Sequence, residues 1–236
     1  MISVCMASYN GERFIREQIS SILPQLGEND ELVISDDKSK DTTVEIIKGF
    51  KDKRIKLLIH KEQSTYTANF ENALKNCKGD YIFLCDQDDI WMPNKVKVMM
   101  KYLLNGYDMV ISDAIVVDEE LNIKIESRNK HFGIKNGFLH NFIKSRYLGC
   151  CFAFNKKVRD SSLPFPRNTK LAHHDSWISL IAEMKFRTIV IDEPLMKYRR
   201  HFQNASTGGE TRSSFLKIAQ IRIYLFTNLI KRIFQH

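Results

Sequence analysis

The chain lacks the marks of several function classes. Its five cysteines, Cys5, Cys77, Cys85, Cys150 and Cys151, form no CxxC pair, and an odd count suits a reducing compartment. The adjacent Cys150-Cys151 reads as two small hydrophobes rather than a redox pair. No basic, cleavable leader precedes Ile2-Ser3-Val4-Cys5-Met6, so a cytoplasmic protein is expected. His173-His174-Asp175 has no HxxxH spacing, and adjacent side chains do not easily converge on one ion, which disfavours zinc. There is no internal repeat. No acidic residue follows Glu210, whereas Arg212, Lys217, Arg222, Lys231 and Arg232 do. The net charge of +8 is therefore concentrated in an apolar tail, which favours anionic lipid over nucleic acid as a partner.

What is present is an ordinary globular composition, 43% apolar over 236 residues, suited to one large α/β domain. Apolar runs and helical spacings alternate through the first 90 or so residues. Ile2 to Ala7 is a short buried-strand run that breaks at Ser8-Tyr9-Asn10-Gly11. Phe14, Ile15, Ile19, Ile22 and Leu23 then recur at helical spacing up to Pro24. Glu31 to Ser35 is a second strand, closed by Asp36-Asp37, and Asp41 stands as N-cap to a helix over Thr42 to Phe50. Ile55 to His60 is a third strand, Tyr66 to Cys77 a helix, and Tyr81 to Cys85 a fourth strand running into Asp86.

Four such units predict a mostly parallel central sheet flanked by helices. Ligands of these sheets bind beyond the carboxyl ends of the strands. Those ends carry Ser8-Tyr9-Asn10, Asp36-Asp37 and Asp86-Gln87-Asp88-Asp89, so polar residues converge on one edge. The second half is less regular. It predicts strands at Asp108 to Val117, Gly149 to Phe154 and Thr188 to Ile191, the last stopping before Pro194. A helix opens at His173-His174-Asp175, and residues 203–213 read as a linker.

Three carboxylates within four residues repel one another unless a cation or donors stand between them. Hard oxygen ligands in a loop suit magnesium or manganese held together with substrate phosphates. The plain alternative is an acidic turn in which Asp89 caps a following helix.

The run Gly79 to Trp91, with Asp86-Gln87-Asp88-Asp89-Ile90-Trp91 at its end and Pro93 and Lys95 beyond, resembles the signature of family 2 inverting glycosyltransferases. Within that family it is similar to rhamnosyltransferase-like members of capsule and O-antigen pathways. Ala7-Ser8-Tyr9-Asn10-Gly11, Ile34 to Ser39, Gly149 to Asn155, His174 to Trp177 and Tyr198 to His201 extend the resemblance, in order, over residues 1–205.

The resemblance implies the nucleotide-diphospho-sugar transferase (GT-A) fold, with residues 1–113 holding the donor and 114–205 receiving the acceptor. It assigns Ala7, Tyr9, Asn10, Asp36, Asp86 and Gln87 to the donor nucleotide. Asp88 and His201 go to a divalent metal (Mn2+ or Mg2+), and Gly149, Cys150, His174 and Trp177 to the acceptor. Asp175 becomes the general base of an inverting transfer, although an N-cap reading of Asp175 fits the pattern equally well. Asp37 reads as a strand-ending turn, Asp89 as a loop brace, and His201 either as a ligand or as part of a solvated cluster with Arg199 and Arg200.

The implied donor is a dTDP or UDP sugar carrying a hexose or a deoxyhexose such as rhamnose. The implied acceptor is a glycan or lipid-linked glycan. Two other classes stay in view. A sugar-nucleotide nucleotidyltransferase should carry a glycine-rich basic loop after the first strand, which Ser8-Tyr9-Asn10-Gly11-Glu12 is not. A non-catalytic membrane scaffold would explain the basic tail but not the aligned carboxylates.

Residues 206–236 are expected to form a linker and an amphipathic basic helix. Leu216, Ala219, Ile223, Phe226, Ile230 and Phe234 make an apolar stripe, with Lys217, Lys231 and Arg232 on the far side and Arg222 snorkelling. Charges break its apolar runs too often to span a bilayer, which takes about 20 residues. It is expected either to lie on anionic lipid, placing the protein at the inner face of the cell membrane, or to pack on protein.

Overall fold

The computed structural model describes residues 1–236 except 61–63, 144–145, 203, 205–213 and 235–236. Its first part alternates strand and helix as expected: β1 (Ile2–Ser8), α1 (Ile15–Ile22), β2 (Glu31–Asp36), α2 (Thr43–Gly49), β3 (Ile55–Ile59), α3 (Tyr66–Asn76) and β4 (Tyr81–Asp86). Then come β5 (Ile90–Trp91), α4 (Lys95–Leu104), β6 (Met109–Val117), β7 (Ile123–Ile125), α5 (Arg128–Phe132) and α6 (Phe138–Ile143). The chain closes with β8 (Phe152–Asn155), α7 (Lys156–Ser162), α8 (His174–Lys185), β9 (Thr188–Arg199) and α9 (Phe215–Phe234).

Among the described residues the sheet runs β3-β2-β1-β4-β8-β6-β9-β5, with β7 on β6. The first four strands are parallel, and all six residues of β2 are buried, as continuous apolar runs in a two-sided parallel sheet require. The second half mixes directions: β8 is antiparallel to both β4 and β6, whereas β9 is parallel to β6. The α/β sheet, flanked by helices as expected, is thus parallel along its first four strands and mixed beyond them. Because β6 crosses residue 113 and β8 joins β4, the two halves read from the sequence share one sheet.

Local chemistry explains most boundaries. Ile15, Ile19 and Ile22 bury one face of α1. Thr65 caps α3 by accepting from the Ala68 amide, and Asn155 caps α7 through the Val158 amide. Asp41 accepts from the Thr43 amide at 3.0 Å at the start of α2.

Three departures matter for the site. Asp89 caps no helix, because β5 follows it directly. Gly149–Cys151 form a 3-10 turn before β8 instead of extending it. β9 does not stop before Pro194 but runs 12 residues to Arg199. Pro194 faces Asp113, where the β6–β9 register shifts, a place where a residue without an N–H does least harm to the ladder.

Candidate active site

Register alone brings the polar strand tips together. Ser8 pairs with Asp36 across β1 and β2, and Ala7 with Asp86 across β1 and β4. Asp36 is fully buried and its carboxylate is taken up locally. It accepts from the Ser8 hydroxyl at 2.8 Å, the Ser39 hydroxyl at 2.6 Å and the Ser39 amide at 2.8 Å. Asp37 likewise accepts from the amide and hydroxyl of Ser64. The Gln87 side chain bridges the backbone of Tyr9 in both directions, accepting from its N–H and donating to its carbonyl, each at 2.9 Å. A Cβ on Gly11 would come within 2.3 Å of that amide, which explains the glycine. Asn10 sits at φ +47 and accepts from the Lys40 amide at 2.9 Å. In this structure Asp36, Asn10 and Gln87 thus shape the loops after β1 and β2, while Ala7 and Tyr9 are partly exposed beside them. A cavity of about 280 Å³ opens among Asn10, Glu12, Arg13, Lys40 and Asp41.

The acidic loop splits into two environments. Asp88 Oδ2 lies 2.8 Å from His201 Nε2 and accepts from Asn204 Nδ2 at 3.0 Å. Asp86 and Asp89 instead face the Cys150 thiol, with ligand atoms of all three within 4.8 Å of one another. Asp89 Oδ1 accepts from the Arg199 amide at 3.0 Å, but its buried Oδ2 has no hydrogen-bond partner among the described residues. Burial, then the charges of Asp88 and Asp175, push the Asp86 carboxyl up to about 7; burial and the other two acids drive Asp89 well above its ordinary range. Arg199 fixes the loop from below, donating Nε to the Asp88 carbonyl at 3.0 Å while pairing with Glu17.

Clustered carboxylates, an orphaned buried oxygen and an adjacent imidazole fit a divalent cation. Asp88 and His201, to which the resemblance gave a metal, lie against each other with Asn204 beside them, whereas the ligand atoms found within 4.8 Å of one another belong to Asp86, Asp89 and Cys150. Asn204 was missed. It stands inside the expected linker, whose other members at 203 and 205–213 lie outside the described residues. The ring of Phe14, 4.8 Å from that of His201, backs the imidazole.

Among the residues expected at the acceptor, Gly149 presses on the start of α8, where a Cβ would come within 2.6 Å of His174 Nε2. His174 is buried, stacked on Phe70 at 4.1 Å, and burial lowers its pKa to about 4, so it is neutral. Asp175 is partly exposed in the first turn of α8, and its Oδ1 accepts from the Ser176 amide at 2.6 Å. Tyr66 was also missed. Its hydroxyl meets His173 Nδ1, and burial and Asp175 raise its pKa. The Cys150 carbonyl accepts from Lys95 Nζ at 2.8 Å; Lys95 is wholly buried and also lies over the Trp91 ring at 4.9 Å.

Trp177 does not join this group. It is 1% exposed, its indole N–H donates to the Ser162 carbonyl at 2.8 Å, and the Arg232 guanidinium of α9 lies 5.7 Å from its ring. Its ring and its indole N–H are thus committed to contacts within the fold, on the side that α9 covers.

A cavity at parallel strand tips, an acidic loop that suits a metal and a carboxylate at a helix start thus stand in one chain, and that chain is similar to known proteins. The profile of "Glycosyl transferase family 2" matches residues 3–163. The UDP-Glc:alpha-D-GlcNAc-diphosphoundecaprenol beta-1,3-glucosyltransferase WfgD of Escherichia coli is 26% identical, over 98% of this chain and 92% of its own length. The putative teichuronic acid biosynthesis glycosyltransferase TuaG of Bacillus subtilis is 24% identical, over 84% of this chain and 79% of its own. Among solved structures, S. aureus TarS 1-349 in complex with UDP-GlcNAc superposes with a TM-score of 0.75 at 18% identity, covering 96% of this chain and 66% of that one. The mannosyltransferase PcManGT from Pyrobaculum calidifontis, in complex with GDP-Man and Mn2+, does so with 0.66 at 18% identity, covering 98% of this chain and 64% of that one. The chain thus spans about two thirds of the length of those two structures, which share its GT-A fold. Taken with the ordered motifs from β1 to the acidic loop, the profile match places this chain in glycosyl transferase family 2.

Proposed function

We propose that this glycosyltransferase moves a hexose or deoxyhexose from a nucleoside-diphosphate sugar to a glycan or lipid-linked glycan in surface polysaccharide assembly. Transfer is metal-dependent and inverts the anomeric centre. One observation carries the reading: Asp88, His201 and Asn204 converge at the strand tips beside Asp86 and Asp89, in a loop whose charge a diphosphate-bound cation would balance. WfgD is a UDP-Glc glucosyltransferase, and TarS and PcManGT were solved in complex with UDP-GlcNAc and GDP-Man, which supports a nucleotide-sugar donor and puts a hexose ahead of dTDP-rhamnose. WfgD and TuaG support a cell-surface glycan as product, and the diphosphoundecaprenol in WfgD's name supports a lipid-linked acceptor. The same reading places the protein at the inner face of the cell membrane.

The chain's own residues divide the work. The loops after β1 and β2, braced by Gln87 and Asp36, form the floor under the nucleotide. A divalent cation held by Asp88 and His201 would neutralise charge growing on the departing diphosphate. Asp175 takes the proton from the acceptor hydroxyl as that oxygen bonds to the anomeric carbon and the bond to the diphosphate breaks. Because Oδ1 is occupied by the Ser176 amide, Oδ2 is the oxygen that receives the proton. Gly149 leaves room for the incoming sugar by bearing no side chain against His174.

The test is nucleoside diphosphate release from UDP-glucose, UDP-N-acetylglucosamine, GDP-mannose and dTDP-rhamnose, each with manganese and with chelator. The reading expects release from one donor with manganese, an inverted anomer in the product, and loss of activity on chelation. Nucleotide binding without release from any donor, whatever the acceptor offered, would count against it.

A further inference from the structure

Helix α9 is apolar on two sides. Leu225 and Leu229 are buried on the domain, at 0% and 2% exposure. The stripe of Leu216, Ile223, Phe226 and Phe234 is instead left outside, at 80%, 65%, 53% and 84%. No helix among the described residues is long and apolar enough to cross a membrane, so the stripe does not belong to a span. Exposed apolar surface on this scale calls for a partner.

A second element extends the face. α6 exposes Leu139 and Ile143 at 72% and 70%. It is joined to α9 by the Phe142 and Phe226 rings at 6.3 Å and by Arg222, which donates to the Ile143 carbonyl at 3.4 Å. The two helices are far apart in sequence but share a charge pattern. No aspartate or glutamate occurs between Glu126 and Asp160, or after Glu210. Beside α9, a cavity of about 720 Å³ lies between Trp177 and the Pro164–Arg167 loop, with Arg167, Lys231 and Arg232 in its lining. Among the described residues none of these three cations has a carboxylate within salt-bridge distance.

We infer that the joint α6–α9 face docks on an anionic bilayer, its apolar residues entering the headgroup boundary and lipid phosphates meeting Arg167 and Lys231 at the cavity, where Arg232 is held by the Leu163 and Pro164 carbonyls. This deepens the proposed function, and rests on it, by naming the surface through which the enzyme reaches a lipid-linked acceptor. Apolar side chains flanked by unpaired cations match such a surface on both counts. A second copy of the chain matches on one only, since a two-fold contact would set like charges against each other. The face also sits close to the chemistry. Asn141 of α6 donates to Ser179 Oγ at 3.0 Å and to Glu183 at 2.9 Å, both on α8. Asp175 precedes Ser179 by four residues, roughly 6 Å along that helix.

The experiment is flotation of the full chain with phosphatidylglycerol-rich vesicles and with pure phosphatidylcholine vesicles. Binding is expected to the first only and to weaken as salt rises. The pairs Phe226→Glu with Ile230→Glu, and Leu139→Glu with Ile143→Glu, are each expected to lower it roughly tenfold or more. Arg167→Glu with Lys231→Glu is expected to remove the preference for anionic lipid. All these side chains are exposed, so unchanged thermal melting shows that the variants fold. Three results would overturn the inference: no flotation of the wild type, wild-type flotation of the α6 pair, or a dimer by light scattering that the same substitutions dissociate. Flotation needs no turnover, so its failure leaves the transferase reading standing, whereas an inactive chain that still floats counts against that reading alone.

Discussion

Asp88 and His201 meet at 2.8 Å across 113 residues of sequence, and Asn204 closes the contact from the side. Asp88→Asn is expected to abolish metal-stimulated turnover. Asn204→Ala should weaken manganese binding roughly 10- to 100-fold, the usual cost of losing a group that orients a metal ligand. Turnover with and without manganese measures the first and manganese calorimetry in the presence of nucleoside diphosphate the second, and unchanged affinity in the two variants would remove this pair from the metal site.

Asp175 separates binding from transfer. Asp175→Asn should keep nucleotide affinity near wild type while lowering kcat by roughly 10²- to 10⁴-fold, the range for a positioned general base. Single-turnover rates beside nucleotide calorimetry make the comparison. A variant that turns over normally would leave Asp175 as a helix-start residue only.

His174 gives the fold an acid limit. Its folded pKa is about 4 against an ordinary 6.5, because burial against Phe70 disfavours the imidazolium. The unfolded chain takes up the proton first as pH falls. Stability from this group is therefore complete above about 6.5 and drains away between there and about 4. The whole gap corresponds to about 3 kcal/mol. Urea midpoints should fall from pH 7.5 to pH 5 in the wild type and fall less in His174→Gln.

Lys95 is the buried cation of the acidic-loop segment, and its hydrogen bond to the Cys150 carbonyl holds the 3-10 turn that carries Gly149. Lys95→Met keeps most of the stem but orphans that carbonyl. A loss of about 1–3 kcal/mol is expected from urea unfolding, accompanied by a higher KM for the acceptor. A stability gain would mean that the ammonium costs more to bury than its bonds return.

The strand tips were legible because a strand buried on both faces must be apolar throughout, so the first polar residues after Ala7, Ser35 and Cys85 mark where each strand leaves the core. Asp86 and Asp88 were picked out this way, with the resemblance supplying their expected roles, whereas Asp175, at a helix start, was picked out by the resemblance itself. Long-range geometry was not legible. Nothing local says that Asn204 turns back to Asp88, that Tyr66 stands near Asp175, or that Trp177 faces α9. Periodicity found the stripe on α9 correctly, but period alone does not say which of two apolar faces meets the domain. Pro194 was read as a strand stop because the usual cost of proline in a ladder is high, and only the pairing with β6 reveals the irregularity that accommodates it.

That irregularity has a further consequence. Strand side chains alternate in direction, so a shift of one residue in β9 reverses every one beyond it. The offset at Asp113 and Pro194 therefore sets the phase in which Arg199 arrives beneath Asp89, two residues before His201. A proline seven residues upstream thereby fixes how His201 is presented to Asp88, and an insertion or deletion beside it would put the far end of the strand out of step while the core stayed filled.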